Sequence, residues 1–345
     1  MFWNRCKGIG FGFLCLSAPL LFAEQSQSIN VKMSEFTDFS PLGQMIDVGG
    51  YKLHLYSTGS GGPAVIIDSG LGGISSDWGL VQPEIAKFTQ VISYDRAGIG
   101  WSESGPLPRT SQQIVQELHA LLNNAHIPAP YILVGHSFGG GNVQLYAAAY
   151  PDEVLGIVLV DSIHEDHEKK LPPHAINDLI NSMQSPQDVD FKSTYGVGCF
   201  TTQMYLTSMM TSLPESMQNM RSALCTTAKQ CYTISAEMSC LAASLEQLAN
   251  MDRSVVQNKP CIVMAAGCAY DLSKFGATED QQTSMSGMQK AWQMAWNGLQ
   301  KDLASKFVGS RYFIAEKSDH MIHWIQPEII VHAVKQLIEE NKHEL

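Results

Sequence analysis

The segment Tyr131-Ile-Leu-Val-Gly-His-Ser-Phe-Gly-Gly140 constrains this chain most: an apolar run of strand type stops at Gly-x-Ser-x-Gly, and a helix-compatible stretch follows. Such a junction requires a sharp, strained turn, with small residues at Gly135 and Gly139 where strand and helix converge. The turn presents Ser137 at the end of a sheet. A serine hydroxyl is a weak nucleophile, so the motif has chemical meaning only beside a base and a site for an oxyanion.

The surrounding pattern supplies the sheet. Gln44 to Val48 and Tyr51 to Ser57 read as a hairpin about Gly49-Gly50, and Ala64–Ile67, Val91–Tyr94, Gly156–Val160, Cys261–Met264 and Tyr312–Ala315 as further strands. Helices are expected over Trp78 to Phe88, over Thr110 to Ala125 with a Thr110/Gln113 capping box, over Phe138 to Tyr150, within Thr278 to Lys306, and from Pro327 onward. Alternating strands and helices predict a mostly parallel sheet with helices on both faces. The alternation breaks over Ser162 to Gln257, a Met-rich polar stretch with helical segments such as Ala175 to Met183 and Glu237 to Met251. The expected organisation is a core of residues 24–161 and 258–345 interrupted by an inserted helical cap, residues 162–257.

Residues 1–23 have the layout of a secretory signal peptide: Arg5 and Lys7, an apolar stretch from Ile9 to Phe22, and a small residue at Ala23. The stretch is short for a membrane anchor, so the expectation is cleavage and an exported, periplasmic or secreted protein without a stable span. Cleavage leaves Cys199, Cys225, Cys231, Cys240, Cys261 and Cys268, an even number that favours disulfides in an exported chain, against the alternative of buried thiols. The cysteines lack Cys-x-x-Cys spacing, so no metal is expected there. With a formal charge of −11 and no basic run, a nucleic-acid partner is excluded on electrostatic grounds.

Four motifs stand in order: Asp68-Ser-Gly-Leu-Gly72, Asp95-Arg-Ala-Gly-Ile-Gly-Trp-Ser102, Gly135-His-Ser-Phe-Gly139 and Ser318-Asp-His320. Together they resemble the α/β-hydrolase superfamily, in the branch of lid-bearing esterases, lipases and peptidases, from about Gly43 to the C-terminus apart from the cap. The resemblance implies a Ser-His-Asp/Glu triad whose members come in the chain order Ser, acid, His, together with an acyl-enzyme and no cofactor. Dehalogenase and epoxide hydrolase relatives use an aspartate nucleophile, and Ser137 argues against both.

On this basis Ser137 is the expected nucleophile. His320 is the expected base, because it follows the last strand in a loop at the elbow's edge of the sheet, whereas His323 lies further along. Either Asp161, directly after its strand, or Asp271, beyond the next, is expected to orient the imidazole. Asp161 is preferred because some relatives place the acid there, although the chain departs from the commoner Gly-x-x-Asp arrangement. The backbone N–H groups of Phe138 and Leu71 are the expected oxyanion donors. Asp95 and Arg96 read as a structural ion pair, since the glycines after them fail the Gly-x-Gly-x-x-Gly fingerprint at Glu103. His136 is expected to point away from the nucleophile, and His164 and His167 to lie in a solvated loop. Met204, Met209, Met210, Met217 and Met220 either receive a hydrophobic acyl chain or pack the cap.

The expected activity is hydrolysis of an ester or related acyl bond in a small-molecule substrate. The alternatives are a non-catalytic ligand binder on the same fold, and an acyltransferase or peptidase using the same residues.

Overall fold

Strands whose residues are apolar on both faces must be covered on both faces, and this dictates the architecture. The computed structural model describes residues 40–172, 209–210, 213–225, 227–275 and 277–342. The expected signal peptide, the expected helix Ala175 to Met183, Cys199 and Met204 lie outside the described residues.

Eight strands form one sheet: β1 (Gln44–Asp47), β2 (Lys52–Thr58), β3 (Ala64–Asp68), β4 (Val91–Tyr94), β5 (Tyr131–His136), β6 (Val154–Val160), β7 (Cys261–Ala266) and β8 (Arg311–Ala315). Their order is β1-β2-β4-β3-β5-β6-β7-β8. The β1/β2 and β2/β4 pairs are antiparallel and the rest parallel. Successive residues enter opposite cores. Ile66, Leu133, Ile157 and Leu159 pack with Leu118, Tyr146 and Leu303. On the other face Ile67, Ile132, Val134, Val158 and Val160 pack with Trp78, Ile85, Ile330 and Leu337. Burying a side chain of this size contributes roughly 1.5–3 kcal/mol.

The first face is covered by α1 (Ser111–Asn124) and α2 (Phe138–Ala149). Thr110 caps α1, its hydroxyl accepting from Gln113 N–H at 3.4 Å, but the Gln113 side chain turns to Glu117 (3.1 Å) instead of closing the box. The helix expected over Trp78 to Phe88 is broken into a 3-10 turn, Ser75–Trp78, and one α turn, Gln82–Ile85.

Between β6 and β7 the described residues form α3 (Glu215–Cys225), α4 (Ala228–Ser239) and α5 (Leu241–Ala249). The helix expected from Glu237 to Met251 is therefore two, broken at Cys240. After β7 come the 27-residue α6 (Glu279–Ser305) and, following β8, α7 (Pro327–Glu340), whose proline occupies the first turn. No helix among the described residues is long and apolar enough to cross a membrane. No disulfide joins any two of the five described cysteines. Cys261 departs from the disulfide expectation: it is a buried thiol within β7, filling core volume as a small apolar side chain.

Candidate active site

Parallel strands that end in register deliver their next residues to one edge, and here that edge collects the chemistry. His136 pairs with Val160, and Val160 with Met264. Ser137 and Asp161 are thus the first residues beyond neighbouring strands. Ser137 N–H donates to Val160 O at 3.1 Å, and Asp161 N–H to Met264 O at 2.7 Å. Both residues have positive φ, 52° at Ser137 and 44° at Asp161. Each such conformation costs roughly 1–3 kcal/mol and persists only where its surroundings enforce it. At the elbow the enforcement is steric: a Cβ at Gly139 would land on the carbonyl oxygen of Asp68.

His320 follows β8 beyond the turn at Glu316 and Lys317. Its Nδ1 lies 2.6 Å from Asp161 Oδ2, so Nδ1–H donates to the carboxylate and Nε2 is left as the basic nitrogen. The other oxygen, Asp161 Oδ1, accepts from Ala266 N–H at 2.8 Å and from the indole Nε1–H of Trp296 on α6 at 2.7 Å. Asp161 is almost fully buried. Asp271 is elsewhere: it is exposed, and its carboxylate accepts from Ser273 N–H (3.0 Å) and Oγ–H (2.6 Å) in its own loop.

His136 faces inward to this cluster. Its Nε2–H donates to the carbonyl of His320 at 2.9 Å, and its ring centroid is 4.5 Å from those of both His320 and His323. The hydrogen bond ties the loop that carries His320 to the residue preceding Ser137. On the other side of the elbow, a Cβ at Gly70 would lie 3.2 Å from Ser137 Cβ, so Gly70 adjoins the serine. Phe138 opens α2, and the first N–H groups of a helix have no intrahelical acceptor.

Several residues beside the site take unexpected partners. Arg96 does not pair with Asp95; it pairs with Asp68 (3.0 Å) and Glu237 (2.8 Å), and Asp95 pairs with His54 (3.0 Å). His164 is buried, not solvated, with Nε2 2.8 Å from Asp302. His167 sets its ring edge-on to Trp296 at 5.6 Å, and Trp296 is itself edge-on to His320 at 5.9 Å. Met209 and Met210 are buried against Phe275 and Trp324. No group of three or more His, Cys, Asp or Glu among the described residues is arranged to hold a metal ion.

Burial holds the His136 and His323 imidazoles well below their ordinary pKa, and the positive potential of a protonated His320 would depress both further. Burial likewise pushes His167 down to about 4. The native state therefore refuses protons that the unfolded chain accepts near pH 6.5. Stability is full above that pH and is lost as pH falls below it. The thermal midpoint is expected to hold between pH 7 and 8 and to drop from pH 6.5 to 5. Over that interval each fully buried neutral imidazole costs up to about 2 kcal/mol. Calorimetry of His323→Phe, which keeps a ring against Trp78 (4.7 Å), should give a shallower acid slope than wild type; an unchanged slope would refute the assignment.

A family model described as alpha/beta hydrolase fold matches residues 63–340. The curated Bacillus subtilis protein YqjL, uncharacterized, is 32% identical over 127 residues, 33% of this chain; the chain spans only 50% of that relative's length. An AB hydrolase superfamily protein of Gibberella zeae is 21% identical over 284 residues, 80% of this chain and 86% of that one. Among solved structures, a putative lipase from Acinetobacter baumannii superposes with a TM-score of 0.62 at 15% identity, covering 99% of this chain and 100% of the other.

Proposed function

The chain belongs to the alpha/beta hydrolase fold family, and on that premise we propose that it is a serine hydrolase acting on a carboxylic ester or related acyl bond. The observation that carries this reading is the 2.6 Å hydrogen bond from His320 Nδ1 to Asp161, at the sheet edge where the strained elbow presents Ser137.

In the proposed reaction Ser137 Oγ attacks the carbonyl carbon while His320 Nε2 takes the hydroxyl proton. Asp161 holds the imidazole in the required tautomer and stabilises it once charged. The carbonyl oxygen becomes an oxyanion that accepts hydrogen bonds from the N–H groups of Phe138 and Leu71. Collapse breaks the bond to the alcohol, which leaves with the proton from His320. Water then attacks the acyl-enzyme, gives its proton to His320, and collapse releases the carboxylic acid as Ser137 recovers the proton.

Treatment of the full chain with a fluorophosphonate probe, followed by peptide mass spectrometry, tests this directly. Labelling is expected at Ser137 together with turnover of p-nitrophenyl esters, and a panel of increasing acyl length would define the acyl preference. A folded protein that takes no label and turns over no ester would favour a ligand binder instead.

A further inference from the structure

Arg96 is buried, and all five N–H donors of its guanidinium are engaged. Nη1 donates to Asp68 Oδ1 (3.0 Å) and to the carbonyl of Ser69 (2.6 Å). Nη2 donates to the carbonyl of Gly70 (2.9 Å) and to Glu237 Oε2 (3.0 Å), and Nε to Glu237 Oε1 (2.8 Å). The same group lies 5.5 Å from the centroid of the Phe138 ring. It therefore touches both segments that carry the proposed oxyanion donors.

The geometry of a peptide bond turns this contact into a constraint. In a trans peptide the C=O and the following N–H point in opposite directions. With Gly70 O held on Arg96, Leu71 N–H is directed away from the guanidinium. Gly70 itself adjoins Ser137.

Glu237 stands on α4, outside the sheet, and it is not alone. Gln230, Thr233 and Glu237 fall at i, i+3 and i+7, on one face of the helix. Gln230 accepts from Gly100 N–H (2.7 Å) and donates to Gly72 O (3.0 Å). Thr233 packs on Gly98, where φ is +83° and a Cβ would land on the threonine hydroxyl. The glycines of the Asp95 to Ser102 motif thus make a seat for α4, and α4 closes over the loop after β3.

We propose that Arg96, clamped by Glu237, is a positioning residue that sets the oxyanion site, so that the inserted helix α4 shapes catalysis from behind the reacting atoms. This rests on the serine-hydrolase reading. Glu237 fixes the guanidinium and the guanidinium fixes the Gly70–Leu71 peptide. An ammonium at position 96 cannot span these acceptors, because a lysine offers a point charge and not a planar fork.

Glu237→Gln, nearly isosteric, and Arg96→Lys test the proposal in the full chain. The substrate is p-nitrophenyl butyrate, and the ligands are a trifluoromethyl ketone, which adds to the serine as an oxyanion, and the matching methyl ketone, which binds without needing that site. The expected result is a kcat lowered about 10- to 100-fold, approaching the loss seen on deleting a whole oxyanion donor. The trifluoromethyl ketone should weaken in parallel, while KM and methyl ketone affinity stay within about threefold, as expected for an interaction made only in the transition state. A folded Glu237→Gln variant whose kcat and trifluoromethyl ketone affinity match wild type overturns the proposal; this variant decides if Arg96→Lys does not fold. Failure of the parent reading looks different, since wild type itself would then neither hydrolyse the ester nor accept the fluorophosphonate.

Discussion

Ser137→Ala is expected to lower kcat for ester hydrolysis by about 10⁴- to 10⁶-fold, the loss that follows when the nucleophile of a serine hydrolase is removed. The fold should survive the change. The structural duty of this residue is carried by its backbone: Ser137 N–H donates to Val160 O (3.1 Å), and Ser137 O accepts from Gly140 N–H and Ile163 N–H, both at 2.9 Å. Alanine has the same Cβ in the same positive-φ conformation, so it adds no new strain. Steady-state kinetics and a melting curve check both halves. Turnover within tenfold of wild type would remove Ser137 from the mechanism.

The second large effect is expected at Asp161, and the hydrogen bonds dictate its form. In Asp161→Asn, Ala266 N–H and Trp296 Nε1–H both require an acceptor at the Oδ1 position. The amide oxygen must therefore sit there, and the NH₂ group is turned toward His320 Nδ1. That nitrogen must then accept, which puts the ring proton on Nε2, the tautomer that cannot take a proton from serine. A loss of about 10⁴-fold in kcat at neutral pH follows by the logic that governs such triads. Asp271→Asn, whose exposed carboxylate accepts from Ser273 among the described residues, should stay within about twofold of wild type, as surface substitutions away from such networks do. A larger loss for Asp271→Asn than for Asp161→Asn would reverse the assignment.

How much of this was legible in the sequence depends on the range of the interaction. The strands announce themselves because burial on both faces demands continuous apolar runs, as in Ile132 to Val134 and Ile157 to Val160. The elbow is legible because its steric demand falls on two glycines within five residues. The partners that orient the site are not local. Trp296 reaches Asp161 across 135 positions and Glu237 reaches Arg96 across 141. Nothing in the periodicity of α6 or α4 distinguishes an indole or carboxylate that meets a buried partner from one that faces water. The expected Asp95–Arg96 pair failed for a related reason: adjacent residues beyond a strand end point to opposite sides, so Asp95 meets His54 on β2 while Arg96 meets Asp68 on β3 and Glu237 on α4. His164 misled because a polar run, His-Glu-Asp-His, reads as solvated until α6 and its Asp302 close over it.

The helices α3 and α4 join the rest of the chain through more than the two strand ends they interrupt. Besides Gln230 and Glu237, Lys229 Nζ donates to the carbonyls of Gly100 (2.8 Å) and Ser102 (2.6 Å), and Arg221 pairs with Asp77 in the interior. Connectivity draws a border at Asp161 and again at Cys261; the charges do not respect it. Excising the intervening residues to obtain a minimal scaffold would leave Arg96 without Glu237 and Asp77 without Arg221, an interior cation and an interior carboxylate each deprived of a partner. Transplanting a foreign insertion would require the recipient loops to be rewritten along with it. The heritable module here is helix plus seat, and neither half is interchangeable by itself.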